Sequence, residues 1–106
     1  MSASSTQEVA AIVKVAIPSP LRSYTQGEAE VNVAIPVLAP EEPPRLRSVL
    51  AALDARFPGF RFRIIDEQGA LRPHIKMFVG RDLERDLATP IPQGAGVMIV
   101  AALSGG

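Results

Sequence analysis

The residues best suited to chemistry are the last two of the sequence, Gly105 and Gly106. Glycine has no Cβ, so its backbone can pass through a channel too narrow for any other residue. Such a segment could present a terminal carboxylate to the active site of another protein. Chain ends are often frayed and rich in small residues, so the pair taken alone also fits an ordinary terminus.

The rest of the chain contains no catalytic constellation. The single histidine, His74, has no nucleophile beside it in the sequence, and we interpret it as a surface or partner-facing residue. There is no cysteine, which excludes disulfides, thiolate metal sites and cysteine nucleophiles. The glycines match neither a phosphate-binding loop nor a dinucleotide-binding fingerprint. We therefore expect no catalytic residue, no metal site and no bound cofactor.

Composition limits the class of protein. A chain of 106 residues with 47% hydrophobic content is one globular domain, and because only 5% of its residues are aromatic and none is tryptophan, we expect an aliphatic core. Eleven basic and eleven acidic residues balance, which gives no electrostatic reason to expect binding to nucleic acid or to an anionic membrane.

The ends of the sequence suggest location and domain limits. Residues 1–8 lack the basic and apolar regions of a signal peptide, and no apolar run reaches the ~18 residues of a membrane span. We expect a cytoplasmic protein with a flexible N-terminal tail (1–8), one folded domain (9–103) and a flexible C-terminal tail (104–106).

Two segments of alternating hydrophobicity predict an opening β-hairpin. Residues 9–17 form the first predicted strand and residues 28–35 the second, separated by turn residues at 18–27. The inward-facing side chains predicted for the two strands are Val13, Val15, Ile17, Ala29, Val31, Val33 and Ile35.

The most regular pattern is an amphipathic helix over residues 45–57. Its apolar side chains recur at spacings of three and four, which places them on one stripe. We expect Pro43 or Pro44 in the first turn, Glu41 and Glu42 just before it, and a stop at residues 58–59. The stripe consists of Leu46, Val49, Leu50, Leu53 and Phe57.

The second half of the chain predicts further strands. Residues 60–65 are interpreted as a short strand or extended segment, 66–69 as a turn, 74–79 as a strand, 80–87 as irregular and 96–103 as the last strand. A hairpin followed by a crossover helix gives a mixed sheet of four to five strands with one main helix on one face. This α+β arrangement is a β-grasp, or ubiquitin-like, roll.

Both faces of this predicted sheet carry apolar residues. Phe78 is out of phase with the inward set Ile75, Met77 and Val79, and Met98 and Val100 are out of phase with Val97, Ile99 and Ala101. A sheet covered on one side normally has a polar second face, and an exposed apolar patch is typical of a partner surface. We predict docking through Phe78, Met98 and Val100. Coverage by loops, or a register shifted by one residue, would remove this patch.

Several segments taken together resemble the ubiquitin-like sulfur carriers. They are residues 74–82 (HIKMFVGRD), 87–91 (LATPI), Gly94 and a strand that ends in Gly-Gly, together with 13–18 (VKVAIP), 21–24 (LRSY) and 57–59 (FPG). The family includes the small subunit of molybdopterin synthase and the carriers of thiazole and cysteine synthesis. The resemblance covers nearly the whole chain from Val13, and its specificity lies in the order and spacing of the segments.

The resemblance implies a function at Gly106. In this family a separate ubiquitin-activating-type adenylyltransferase uses ATP and Mg to adenylate the C-terminal carboxylate. A sulfur donor, either a sulfurtransferase or sulfide, then forms a thiocarboxylate that an acceptor synthase consumes. Carried over here, Gly106 is the modified residue, and Leu103, Ser104 and Gly105 are the segment that the partners recognise. The tail departs from the family pattern, since Ala101 to Ser104 replace the common Pro and Val-Ala, and the pathway is left open.

Two other functions remain open at this point. The chain could be a protein modifier of the same fold that is joined to lysines through Gly106, or a binding module in which the Gly-Gly pair is incidental. The first of these alternatives also needs adenylation and differs at the following step. The second alternative, a binding module, needs no activated terminus at all.

Overall fold

Five strands form one mixed sheet in the computed structural model, which describes residues 9–37 and 43–102. The strands are β1 (Val9–Ala16), β2 (Glu30–Val37), β3 (Ile75–Val79), β4 (Asp82–Glu84) and β5 (Val97–Ala101). Their order across the sheet is β2-β1-β5-β3-β4. β1 and β5 run parallel, and the other neighbouring pairs run antiparallel. The predicted β-grasp fold is confirmed.

The first hairpin has the predicted partners, with small changes at its ends. β1 and β2 pair in continuous register from Val9 opposite Val37 to Ala16 opposite Glu30. The inward set is buried except for Ala29, which precedes β2 and is exposed. The connection predicted as a turn contains a 3-10 helix, Ser19–Thr25, where the buried Thr25 hydroxyl donates to the Glu28 carbonyl at 2.9 Å.

Helix α1 (Leu46–Arg56) packs its predicted stripe on the inner face of the sheet. Leu46, Val49, Leu50 and Leu53 are inaccessible to solvent, because each lies on the side of the helix that faces the strands. The prediction of a proline in the first turn is wrong. The helix begins two residues after Pro44, whose carbonyl accepts a hydrogen bond from the Ile91 amide at 2.8 Å. Glu41 and Glu42 lie outside the described residues.

The segment predicted as a short strand is instead a helix, α2 (Phe60–Ile64). Its alternating apolar and arginine residues fit a strand, yet Phe60 and Ile64 are also four residues apart and both are buried. The carboxylate of Asp54 accepts hydrogen bonds from the amides of Gly59 and Arg61, both at 3.1 Å. These bonds satisfy amides at the start of α2, where intrahelical partners are missing, and favour the helix.

The segment predicted as irregular contains the short strand β4. β3 and β4 are joined by a two-residue loop, in which Gly80 has φ 63°. Glycine adopts this left-handed conformation at little cost, so the chain can reverse tightly here. Within the part of the chain that the structure describes, no helix has the length and apolar character needed to cross a membrane.

Candidate functional site

The strand that precedes the C-terminal residues lies at the centre of the sheet. β5 pairs with β1 through Val97 and Met98, and with β3 along its whole length. The ladder extends one residue further, since the Ala102 amide donates to the His74 carbonyl at 2.9 Å. The position of Ala102 is therefore fixed relative to β3. The residues predicted to react or to be recognised, Gly106, Gly105, Ser104 and Leu103, lie outside the described residues.

An apolar row crosses the outer face of the sheet, the face that the helices leave uncovered. Leu83 on β4 pairs with Phe78 on β3, Phe78 pairs with Met98 on β5, and Met98 pairs with Ala16 on β1. Val100 is the next outward-facing residue along β5, roughly 7 Å from Met98. Leu83 and Met98 are each 43% exposed, and Val100 is 36% exposed. We call Phe78, Leu83, Met98 and Val100 the outer patch.

The structure thus brings together the three predicted docking residues on one exposed face. Phe78 is only half-buried, because Leu83 and Met98 flank its ring on the neighbouring strands. Leu83 was not predicted as part of this surface. Its neighbours in the sequence are polar, so the segment was not predicted to be a strand. The geometry provides an accessible apolar surface next to the end of β5. That a partner docks there remains a prediction.

A basic side chain borders this patch on the side where β5 ends. Lys76 pairs with Val100, and both Lys76 and His74 are exposed. Lys76 lies between the buried Ile75 and Met77, so it shares the outer face with Phe78, whereas His74 belongs to the turn before β3. On the other side of β5, Pro18 and Pro20 line a shallow groove with Met98 and Val100. A partner bound beside the end of β5 would contact an apolar surface, with the positive charge of Lys76 along one side.

The described residues contain no group of three or more His, Asp or Glu that could hold a metal ion. The carboxylate of Asp66, which belongs to a turn, has a lowered pKa. Hydrogen bonds from the Ala70 amide, and then from the Gln68 amide, hold the pKa of Asp66 below its ordinary value, with a further contribution from the charge of Arg72. Partial desolvation opposes this shift. The shift is explained by the turn itself, so it does not indicate an active site.

Solved structures with this fold confirm the resemblance to ubiquitin-like sulfur carriers and modifiers. CysO from Mycobacterium tuberculosis matches with 29% identity and a TM-score of 0.72, over 86% of this chain and 99% of its own. The Amycolatopsis orientalis BexX/CysO complex contains a chain that matches with 24% identity and a TM-score of 0.72, over 89% of this chain and 99% of its own. SAMP1 from Haloferax volcanii matches with 19% identity and a TM-score of 0.70, over 90% and 99%.

No protein-family model matches the chain, and no curated protein matches it.

Proposed function

We propose that this chain is a sulfur carrier whose Gly106 carboxylate is activated by one partner and converted to a thiocarboxylate for use by another. The observation that carries the proposal is the position of β5, which pairs with β1 through Val97 and Met98 and is bonded to the β3 side as far as Ala102, the residue before 103–106. The likeness to CysO supports it, since it extends over 99% of that chain. The protein is then a substrate of its partner enzymes and is not itself a catalyst.

The proposed chemistry has two steps. A carboxylate oxygen of Gly106 attacks the α-phosphate of ATP on a ubiquitin-activating-type adenylyltransferase, and Mg-bound pyrophosphate leaves. Sulfide then attacks the acyl carbon and expels AMP, which gives a thiocarboxylate without any change in oxidation state. When a sulfurtransferase persulfide attacks instead, a thiol must cleave the resulting acyl disulfide and is itself oxidised. A cysteine-free protein can carry sulfur in this way, because the sulfur is bound to the main chain.

The outer patch is the proposed docking surface for these partners. Apolar side chains at the centre of a small interface often carry most of its binding energy. Ala102, the last described residue, lies only two positions after Val100 of this patch, so a protein that holds the terminus can contact both. One structural neighbour was solved as a BexX/CysO complex, which supports the docking of a second protein on a chain of this shape. The adenylyltransferase and the acceptor synthase would then compete for one face.

The direct test is the chemical state of the protein isolated from its own cells. Intact mass should show a chain that ends at Gly106 and carries sulfur in place of one carboxylate oxygen, and a thiol-directed alkylating reagent should react with it despite the absence of cysteine. A ladder of larger conjugates on a blot, with no thiocarboxylate, would support a protein modifier instead. If neither species forms when the activating enzyme is present, the chain is a binding module and the proposal is wrong.

A further inference from the structure

A second candidate surface lies away from the outer patch, on the helix side of the molecule. Arg47 on α1, Arg61 on α2 and Arg85 after β4 line the same groove. All three side chains are exposed, while the half-buried Leu71 and Leu87 provide apolar floor. We call these five residues the arginine groove.

The groove is basic because three arginines and only one carboxylate line it, and the carboxylates in and near it accept hydrogen bonds from backbone amides. Asp86 lines the groove, but its Oδ1 accepts the Ala88 amide at 2.9 Å. Asp54 likewise accepts the Arg61 amide, and Asp66 accepts the Ala70 amide at 3.0 Å. Each carboxylate therefore stabilises a turn or a helix start, although each still contributes its charge to the local field.

The guanidinium groups of the groove differ from others in the molecule. Arg45, Arg56 and Arg72 each donate to a backbone carbonyl at 2.7 to 2.9 Å, and Arg63 lies over the Tyr24 ring. In residues 9–37 and 43–102, no such hydrogen bond or ring contact holds the side chains of the arginine groove. Their donors are thus available to a ligand, and each guanidinium can bind a carboxylate through two parallel hydrogen bonds.

Backbone geometry favours carboxylates over a compact phosphate. Phosphate sites usually include free backbone amides that converge on the anion. Here the Gly69 amide donates to the Asp66 carbonyl, the Ala70 amide donates to the Asp66 carboxylate, and the Ala88 amide donates to the Asp86 carboxylate. The groove combines three separate arginines with two leucines. That combination is typical of a protein interface, in which arginine is enriched.

We infer that the arginine groove binds an acidic segment of a partner protein, with glutamate or aspartate side chains on the arginines and an apolar side chain on Leu71 and Leu87. This interaction goes beyond the proposed sulfur transfer and does not depend on Gly106. Because α1 and α2 pack on the inner face of the sheet, a protein held at the groove leaves the outer patch accessible. Two partners can therefore contact the chain at the same time.

The test uses the full chain and a short synthetic peptide of glutamates containing two leucines. Binding is followed by NMR titration of the backbone amides at low salt. We expect shifts centred on residues 47, 61, 69–71 and 85–87, and a several-fold loss of affinity at high salt, because exposed charge pairs are screened. The triple variant Arg47→Gln, Arg61→Gln, Arg85→Gln should bind roughly tenfold more weakly, as expected for three partly exposed ion pairs.

Matched controls make the result specific. The variant Lys14→Gln, Lys76→Gln, Arg81→Gln removes the same charge from the sheet side and should bind the peptide as the unmodified chain does. Equal losses in both triple variants would overturn the inference, because they would show a response to net charge alone. Tighter binding of pyrophosphate than of the peptide would also overturn it, in favour of a phosphate site. A peptide with glutamine in place of glutamate should not bind.

Discussion

Among single residues, the most informative are the outward-facing ones on the central strand. Val100 is accessible and lies beside Lys76, so a charge placed there does not enter the core. We predict that Val100→Asp weakens binding to the activating enzyme by more than about 1 kcal/mol, because it puts a carboxylate in the centre of an apolar contact. Binding measured by calorimetry, with circular dichroism to confirm the fold, checks this.

The chain provides a matched control for this substitution. Ile12 is also on the outer face and is 65% exposed, but it pairs with Ala34 in the first hairpin and lies away from the outer patch. Ile12→Asp should bind the activating enzyme normally. Equal loss of binding by both variants would show that the whole face, or charge in general, determines the affinity.

A second residue-scale prediction concerns Asp66. Its folded pKa is depressed, so the carboxylate stabilises the turn above the unfolded pKa, and this contribution is lost as pH falls through the folded pKa. NMR titration of the side-chain carboxyl carbon should give a midpoint below the ordinary aspartate value of 3.8. Asp66→Ala should abolish the pH dependence of the Gln68 and Ala70 amide shifts in that range. A midpoint at or above the ordinary value would contradict this account of the turn.

At the scale of elements, the helix α1 should stabilise the domain through its buried stripe. Leu50 and Leu53 are fully buried against the sheet, so Leu→Ala at either position should cost roughly 2–5 kcal/mol of unfolding free energy. Ala51→Ser on the exposed side of the same helix is the control and should cost little. Urea denaturation measures all three. Unchanged stability of both leucine variants would be incompatible with this packing.

The start of α2 should depend on a single carboxylate. Asp54→Ala removes the acceptor for two amides and should destabilise the domain by about 1 kcal/mol, comparable to the loss of a helix cap. Asp54→Asn keeps an acceptor oxygen and should retain much of that stability. If the two variants are equally stable in thermal unfolding, the side-chain hydrogen bonds contribute nothing measurable to α2.

The elements also show how far the sequence could predict the structure. The hairpin, the stripe of α1 and the inward sets of β3 and β5 follow from periodicity, which burial on one face enforces. The helix at residues 60–64 could not be predicted in this way, because the spacing of Phe60 and Ile64 fits both a helix and a strand. The acceptor that favours the helix, Asp54, belongs to the preceding helix. β4 was missed because three residues opposite β3 contain only one apolar side chain, Leu83.

The candidate site was predictable to a similar extent. Alternation placed Phe78, Met98 and Val100 on one face, whereas Leu83 and the convergence of Arg47, Arg61 and Arg85 depend on contacts distant in sequence. The reaction proposed at Gly106 rests on resemblance and chemistry, since residues 103–106 lie outside the described part of the chain.

At the scale of the whole molecule, opposite sides have different proposed roles. The outer patch and the end of β5 would contact the enzymes that act on the terminus, and the arginine groove would bind a further partner. Substitutions in one surface should then leave the other unaffected, because the two are separated by the sheet and the helices.

The central claim is tested most directly by reconstitution with the cognate activating enzyme, ATP, Mg and a sulfide source, followed by intact mass measurement. The account predicts that the full chain gains the mass difference between one sulfur and one oxygen, only when ATP is present. A chain lacking Gly105 and Gly106 should gain nothing. If the truncated chain gains the same mass as the full chain, or if the full chain remains unmodified by an enzyme that binds it, Gly106 is not the carrier of sulfur.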